Sequence, residues 1–403
     1  MELSYTPEEE VFRLEVRSFF HRTIDPGTRA ALLAGRRLTK QQIVDWTRTL
    51  NAKGWAAYNW PMEYGGPGWT PVQRYIFLEE LYRTPAPEPL NFNVSMIGPV
   101  IYTFGTDEQK SYFLPKIKNL DLWFCQGYSE PGAGSDLAAL RTTARRQGNH
   151  YILNGQKSWT THAHEADWMF CLVRTDPQAA KRQQGISFLI LDMRTPGISV
   201  RPITSLIGHR EVNEVFFDNV QAPVENLIHQ EDHGWDVAKF LLSHERMGAG
   251  ARVGVVQLML QQLRDLAGRA TLNGKPLSED LAFRQRLAAL EIEAKAAEMI
   301  VMRVLADAQR NPDATRPDPS SSITKILIVD LRQQITELMM QVAGPQAIPF
   351  QPSALEGASA QSMLGTEWAA PLAPNYFVTR AHSIFGGSAE IQRNIIARAF
   401  LGL

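Results

Sequence analysis

Apolar residues recur at steps of three and four over two long stretches near the C-terminus. One holds Leu287, Leu290, Ala294, Ala297, Val301 and Val304; the other holds Ile328, Leu331, Ile335, Leu338 and Met339. That period puts each set on one helical face, so both stretches predict amphipathic helices. The second should stop at Gly344-Pro345, a C-terminal glycine followed by proline. From about 121 to 232 the pattern shortens to β-branched or aromatic runs at 151–153, 168–173, 186–191 and 215–217. Turn formers bound them at Gln147-Gly148-Asn149, Asn154-Gly155 and Thr195-Pro196-Gly197. No helix alternates with these runs, which predicts an antiparallel barrel or sandwich and not a Rossmann unit. Residues 7 to about 120 read as helical. Thr6 is the expected first N-cap, Pro7 fits the first turn, and Glu8 to Glu10 suit the positive helix end. Further helices are expected at 97–104 and 108–117, and a last one from about Ser388. The chain therefore predicts an α+β protein of three parts: a helical domain at 1–120, a β domain at 121–232 and a helical bundle at 233–403.

Composition narrows the function classes. The chain has 403 residues, 44% of them hydrophobic and 21% charged, an ordinary globular balance. Its net charge of -1, with both signs interspersed, gives no electrostatic case for nucleic acid or an anionic membrane. No apolar run reaches membrane-spanning length, and the acidic N-terminus has no apolar secretory core. Cys125 and Cys171 lack metal-ligand spacing and read as buried free thiols of a reducing cytoplasm, the expected location. No metal motif is present.

Chemistry concentrates in two stretches, Tyr128-Ser129-Glu130-Pro131-Gly132-Ala133-Gly134-Ser135-Asp136 and Gly155-Gln156-Lys157-Ser158-Trp159-Thr160-Thr161. Gly132 and Gly134 allow a ligand close to the backbone, Ser129, Ser135 and Thr161 supply short hydroxyls, and Trp159 supplies a stacking face. Taken singly, Ser129 reads as a strand-capping serine and Trp159 as a core tryptophan. Together the stretches resemble the flavin-binding middle domain of the acyl-CoA dehydrogenase family. Further matches lie at Gly54-Trp55 with 60–66, at 104–110, and at Phe385-Gly386-Gly387-Ser388-Ala389-Glu390-Ile391-Gln392-Arg393.

The resemblance implies FAD as cofactor and α,β-dehydrogenation of an acyl-CoA to the trans-2-enoyl-CoA, with hydride passing to flavin N5. It implies that Ser129 and Thr161 hydrogen-bond the isoalloxazine, that Trp159 packs on its face, and that Gln126 and Tyr128 are neighbours. Ser135 would contact the acyl-CoA. A backbone N–H at Gly386 would polarise the thioester carbonyl, but many relatives carry the base glutamate at this position. Another branch places the base on a helix early in the C-terminal domain, which matches Glu245. Leu241, Leu242, Ala249 and Val256 would all lie within about 60° of Glu245 on one continuous helix, an apolar face for a carboxylate. The plainer reading makes Glu245 half of a structural ion pair with a buried arginine. Arg246 would bind a phosphate or orient Glu245, and His244 reads as surface or packing.

By the same resemblance, Ser388, Glu390, Gln341, Gly344 and Arg269 fall at adenosine-side flavin positions. Pro345 and the segment after Arg269 depart from the family pattern there. The departures resemble a bacterial subgroup that includes the large subunit of pimeloyl-CoA dehydrogenase, which implies a long, bulky or dicarboxylyl acyl group. Expected partners are an electron-transfer flavoprotein and further subunits, as a homodimer, a homotetramer or a heterotetramer with a small subunit. Alternatives are a flavin-carrying non-catalytic subunit and a flavin oxidase on the same fold.

Overall fold

The computed structural model describes residues 5–247, 252–310, 319–351 and 368–403; the side chains of 243–247, 308 and 309 lie outside the described set. The first six α-helices are α1 (Pro7–Thr23), α2 (Pro26–Leu33), α3 (Lys40–Ala52), α4 (Pro71–Arg83), α5 (Gly98–Phe104) and α6 (Asp107–Lys118). After the strands come α7 (Gly234–Met247), α8 (Val253–Arg269), α9 (Leu281–Arg310), α10 (Ser320–Ala343), α11 (Leu372–Ala381) and α12 (Ala389–Ile396). Two compact units divide the chain. A β unit holds Thr47–Gly68 and Pro89–Glu245; a helical unit holds Met1–Trp46, Trp69–Glu88 and Arg246–Leu403. No described helix is long and apolar enough to cross a membrane.

In the β unit the strands are β1 (Phe124–Gly127), β2 (Thr143–Gln147), β3 (His150–Thr161), β4 (Trp168–Arg174), β5 (Ile186–Asp192), β6 (Ile198–Pro202), β7 (Val212–Pro223) and β8 (Leu227–Ile228). They form one sheet in the order β6-β7-β3-β2-β4-β5-β8, with β1 also paired to β4. Most pairings are antiparallel, as expected, but β1 and β2 run parallel to β4. An apolar run does not encode its direction, so its pattern carries no sign of this. Residues 169–173 and 186–191 are buried on both faces, whereas β3 and β7 alternate buried with exposed positions. Both cysteines are buried in the sheet core.

Two contacts fix the ends of this unit's functional segments. Asn93, in a π-helical turn at Phe92–Ile97, donates to Leu122 O (2.7 Å) and accepts from Phe124 N (3.0 Å), which seats β1. Gly234 opens α7 so close to β5 that a Cβ there would lie 2.4 Å from the Ser187 carbonyl carbon. Phe240 of α7 then meets the Phe104 ring edge-on at 5.1 Å.

The helical unit opens as the sequence predicts. Thr6 and Glu9 form a capping box, with Glu9 N donating to Thr6 Oγ1 and Thr6 N to Glu9 Oε2. Helix α1 packs on α4 through Phe20 and Phe77, whose ring centroids are 5.4 Å apart. Buried Arg13 sits between Glu79 (2.7 Å) and Glu80 (3.0 Å), and Arg17 adds a second contact to Glu80 (2.8 Å). In the C-terminal part α10 packs against α8, α9, α11 and α12.

The Arg13 network makes a stability prediction. Arg13→Met leaves two buried carboxylates short of a cation and should lower unfolding free energy by about 3 kcal/mol. Chemical denaturation of the variant checks this, and an unchanged midpoint contradicts it.

Candidate active site

The two motif stretches meet through the backbone and one buried ion pair. Ser158 N donates to Ser129 O at 2.9 Å. Lys157, with no exposed surface, donates its ammonium to Glu130 Oε1 (2.8 Å) and Tyr128 O (3.2 Å). Glu130 also accepts from Arg141 N (2.6 Å) and Thr142 N (3.0 Å). Burial pushes the Glu130 carboxyl up, but the Lys157 charge and these hydrogen bonds outweigh it and hold the group below the usual carboxylate range. Each charge thus has its partner and most of its hydrogen-bonding capacity filled.

Immediately after Lys157 the ladder between β3 and β7 slips by a bulge before Thr160. Trp159 takes φ 60° there, a left-handed conformation unfavourable for a large side chain, and the residue is 64% exposed. The core-tryptophan reading therefore fails: Lys157 and Ser158 point inward and Trp159 points out. Gly155, at φ 149°, passes so near Thr142 that a Cβ would lie 2.6 Å from its hydroxyl. At Gly132 and Gly134, by contrast, an added Cβ would meet nothing. Their lack of a side chain answers to no packing demand among the described residues, which suits a ligand that comes close. An outward indole held on strained backbone, half-buried Ser129 and Thr161, and an open glycine cradle fit a planar ring such as the flavin.

The other expected residues divide between the units. Gln126 is half-buried in β1, and Tyr128 is buried edge-on to Phe170 at 5.9 Å. Ser135 is exposed in the glycine-bearing loop. Glu245 and Arg246 lie in the last turn of α7; their side chains, and that of His244, are outside the described residues. Of the face expected around Glu245, Leu242 lies in α7 and Val256 in α8, while residues 248–251, Ala249 among them, lie outside the described residues. Leu241 is buried, as expected.

In the helical unit Gly386 and Gly387 take φ 65° and 85° in succession. Lys325 Nζ donates to the carbonyls of Phe385 (2.6 Å), Gly386 (3.1 Å) and Gly387, which pins this turn. The Gly386 N–H has no acceptor among the described residues. Ser388 caps α12, accepting from Ile391 N at 3.4 Å, and Glu390 is exposed in its first turn. Exposed Gln341 accepts from Arg286, and Gly344 ends α10 at φ 53°. Arg269 is exposed at the end of α8, and the departure from the family pattern there is a β-hairpin, Thr271–Leu272 with Lys275–Pro276, around Asn273-Gly274. The structure groups Gln126, Tyr128, Ser129, Trp159 and Thr161 in the β unit, and Gly386, Ser388 and Glu390 in one turn of the helical unit.

Glu130 and Lys157 have no role in the sequence reading above; their signal is opposite charge within two small-residue motifs. Arg332 and His382, 50 positions apart in sequence, are brought together only by tertiary folding. Burial, then the charges of Arg332, Arg252, Lys325 and Arg380, pushes His382 down to about 3. Burial also lifts the Cys171 thiol to about 11 and Cys125 higher still, so neither is a poised nucleophile.

Two predictions follow from these groups. Lys157→Met should cost about 3 kcal/mol by leaving Glu130 buried and unpaired, and adding Glu130→Gln should recover part of it; a double-mutant cycle in denaturant measures the coupling. His382 stays neutral in the fold to about pH 3 but takes a proton near 6.5 when unfolded. The unfolded state binds more protons between these values, so stability falls as pH is lowered through the window. His382→Asn should flatten that fall between pH 6.5 and 4.5, above the carboxylate range, in thermal melts against pH.

Family models match three consecutive segments: "Acyl-CoA dehydrogenase, N-terminal domain" at residues 6–120, "middle domain" at 125–220 and "C-terminal domain" at 232–401. The chain is 36% identical over 360 residues to the acyl-CoA dehydrogenase IpdE1 of Mycobacterium tuberculosis, covering 89% of this chain and 87% of that protein. It is 34% identical to FadE26 of the same organism, covering 100% and 99%. The ChsE4-ChsE5 complex of M. tuberculosis superposes with a TM-score of 0.82 at 32% identity, covering 100% and 99% of the chains; the Tcur3481-Tcur3483 steroid ACAD gives 0.83 at 27%, with the same coverage. With matches over nearly its whole length, this chain belongs to the acyl-CoA dehydrogenase family and is an enzyme of that flavoprotein oxidoreductase group.

Proposed function

We propose that the chain converts an acyl-CoA thioester to its trans-2-enoyl-CoA, with Glu245 taking the α-proton. The observation that carries this reading is the outward Trp159 on strained backbone, locked beside Ser129 by the Lys157–Glu130 pair. FAD, when bound, supplies the acceptor for the β-hydride. Ser129 and Thr161 hold the ring by hydrogen bonds, Trp159 covers one face, and Gln126 and Tyr128 border it. Arg269, Gln341, Gly344, Ser388 and Glu390 serve the adenosine half. Ser135 and Arg246 hold the CoA portion.

The chain's own acid–base chemistry rests on two groups. The Gly386 N–H, with no acceptor among the described residues, donates to the thioester oxygen as negative charge develops on it. The Lys325 contacts to three consecutive carbonyls keep that N–H in place. Glu245 accepts the α-proton; its helix is anchored by the Gly234 contact and by Phe240 against Phe104. With glycine at 386, no carboxylate is available from that turn.

Similar structures include a ChsE4-ChsE5 complex and a steroid ACAD pair. That likeness supports a bulky, ring-bearing acyl group and a second, related subunit for this chain, with an electron-transfer flavoprotein as electron acceptor. The test is anaerobic bleaching of the flavoprotein by a panel of straight-chain, dicarboxylyl and steroid acyl-CoAs. One class should bleach the wild type, and Glu245→Gln should retain FAD but bleach at least ~100-fold more slowly. Bleaching of the variant at the wild-type rate rules out Glu245 as the base.

A further inference from the structure

Four basic side chains converge in the helical unit on a cavity of about 40 Å³. Arg252 precedes α8, Lys325 and Arg332 lie two turns apart on α10, and His382 follows α11. Ile328, Val329 and Phe385 complete the wall. Arg332 Nε and His382 Nδ1 are shielded from solvent and have no hydrogen-bond partner among the described residues. Arg332 makes no ion pair there either. Burial, with the Arg252 charge, pushes its guanidinium down to about 10; Glu88 opposes this only through its field. Lys325 is engaged with the turn at 385–387.

A half-buried guanidinium with a shielded Nε and no counter-ion among the described residues is unfavourable, and further cations around it make it more so. What relieves Arg332 is an anion. The guanidinium edge offers paired N–H donors that match a carboxylate, and the neutral imidazole has one N–H to add. The cavity has room for a group of that size, and its apolar wall suits the carbon attached to it.

We infer that Arg332 and His382, framed by Arg252 and Lys325, form a recessed site for one carboxylate. Phe385 on its wall directly precedes Gly386, the donor assigned to the thioester oxygen. On the dehydrogenase reading, on which only the source of the carboxylate rests, the acyl group carries it. A free carboxylate from solution has the same chemistry.

The experiment has two arms, both on the FAD-loaded chain. In the first, thermal midpoints are followed while sodium acetate is titrated in, with sodium chloride at matched ionic strength as control. Wild type should gain stability in acetate beyond chloride, and Arg332→Met and His382→Phe should each lose most of that gain. No acetate-specific gain in the wild type, or an equal gain in both variants, overturns the site. In the second, ω-carboxyl acyl-CoAs are compared with unsubstituted acyl-CoAs of matched length for half-saturation of flavin bleaching. A wild-type preference for the ω-carboxyl series that shrinks at least about tenfold in Arg332→Met assigns the carboxylate to the substrate. Equal half-saturation, with the acetate response intact, assigns the site to a free anion. If no acyl-CoA bleaches the flavin, the dehydrogenase reading fails while the acetate arm still decides the site.

Discussion

A buried lysine needs a partner, and the way Lys157 finds one organises the β unit. Its ammonium reaches Glu130 and the Tyr128 carbonyl, so two segments distant in sequence become one surface. Glu130 in turn accepts from Arg141 N and Thr142 N, which ties the start of β2 to the same point. An ion pair in this setting contributes little net stability against an apolar replacement, but losing one member is costly. Its value here is positional. It holds Ser129 beside Ser158 and sets the register just before the bulge that turns Trp159 outward.

The same economy of means operates in the helical unit. Two successive left-handed glycines leave the turn at 386–387 with carbonyls that gather on Lys325 and an N–H that finds no acceptor. A side chain at 386 would have to take up the left-handed conformation as well, so this backbone favours a glycine donor over a side-chain base. That leaves the carboxylate to come from elsewhere, and Glu245 on the anchored helix α7 is the candidate from the chain's own residues. Beside this turn, Arg332 carries a positive charge with no counter-ion among the described residues, next to the unpartnered His382 Nδ1, and folding alone gives no reason to keep that arrangement.

Much of this was legible in the sequence where the signal is local. The Thr6–Glu9 capping box, the stop at Gly344 and the apolar faces of α9 and α10 all arise within a few residues of one another. The positions of β3, β4, β5 and β7 were equally clear, but β1, β2, β6 and β8 were not, and strand direction was not, because apolar runs such as 168–173 read alike whether their neighbours are parallel or antiparallel. The motif serines and Trp159 stood out by residue type, yet the outward turn of Trp159 depends on a bulge between β3 and β7, a long-range pairing. Arg332 lies on α10 and His382 just past α11, and no spacing rule joins them.

If the Lys157–Glu130 pair prepares the surface proposed for the flavin, breaking the pair weakens flavin binding. The most direct test is a titration of FAD into apoprotein of the wild type and of Lys157→Met, at a temperature where circular dichroism shows both folded. The variant should bind FAD at least about tenfold more weakly, with smaller quenching of tryptophan fluorescence on binding. Equal affinity and equal quenching would mean that Ser129 and Trp159 reach their positions without the pair, and would contradict that role.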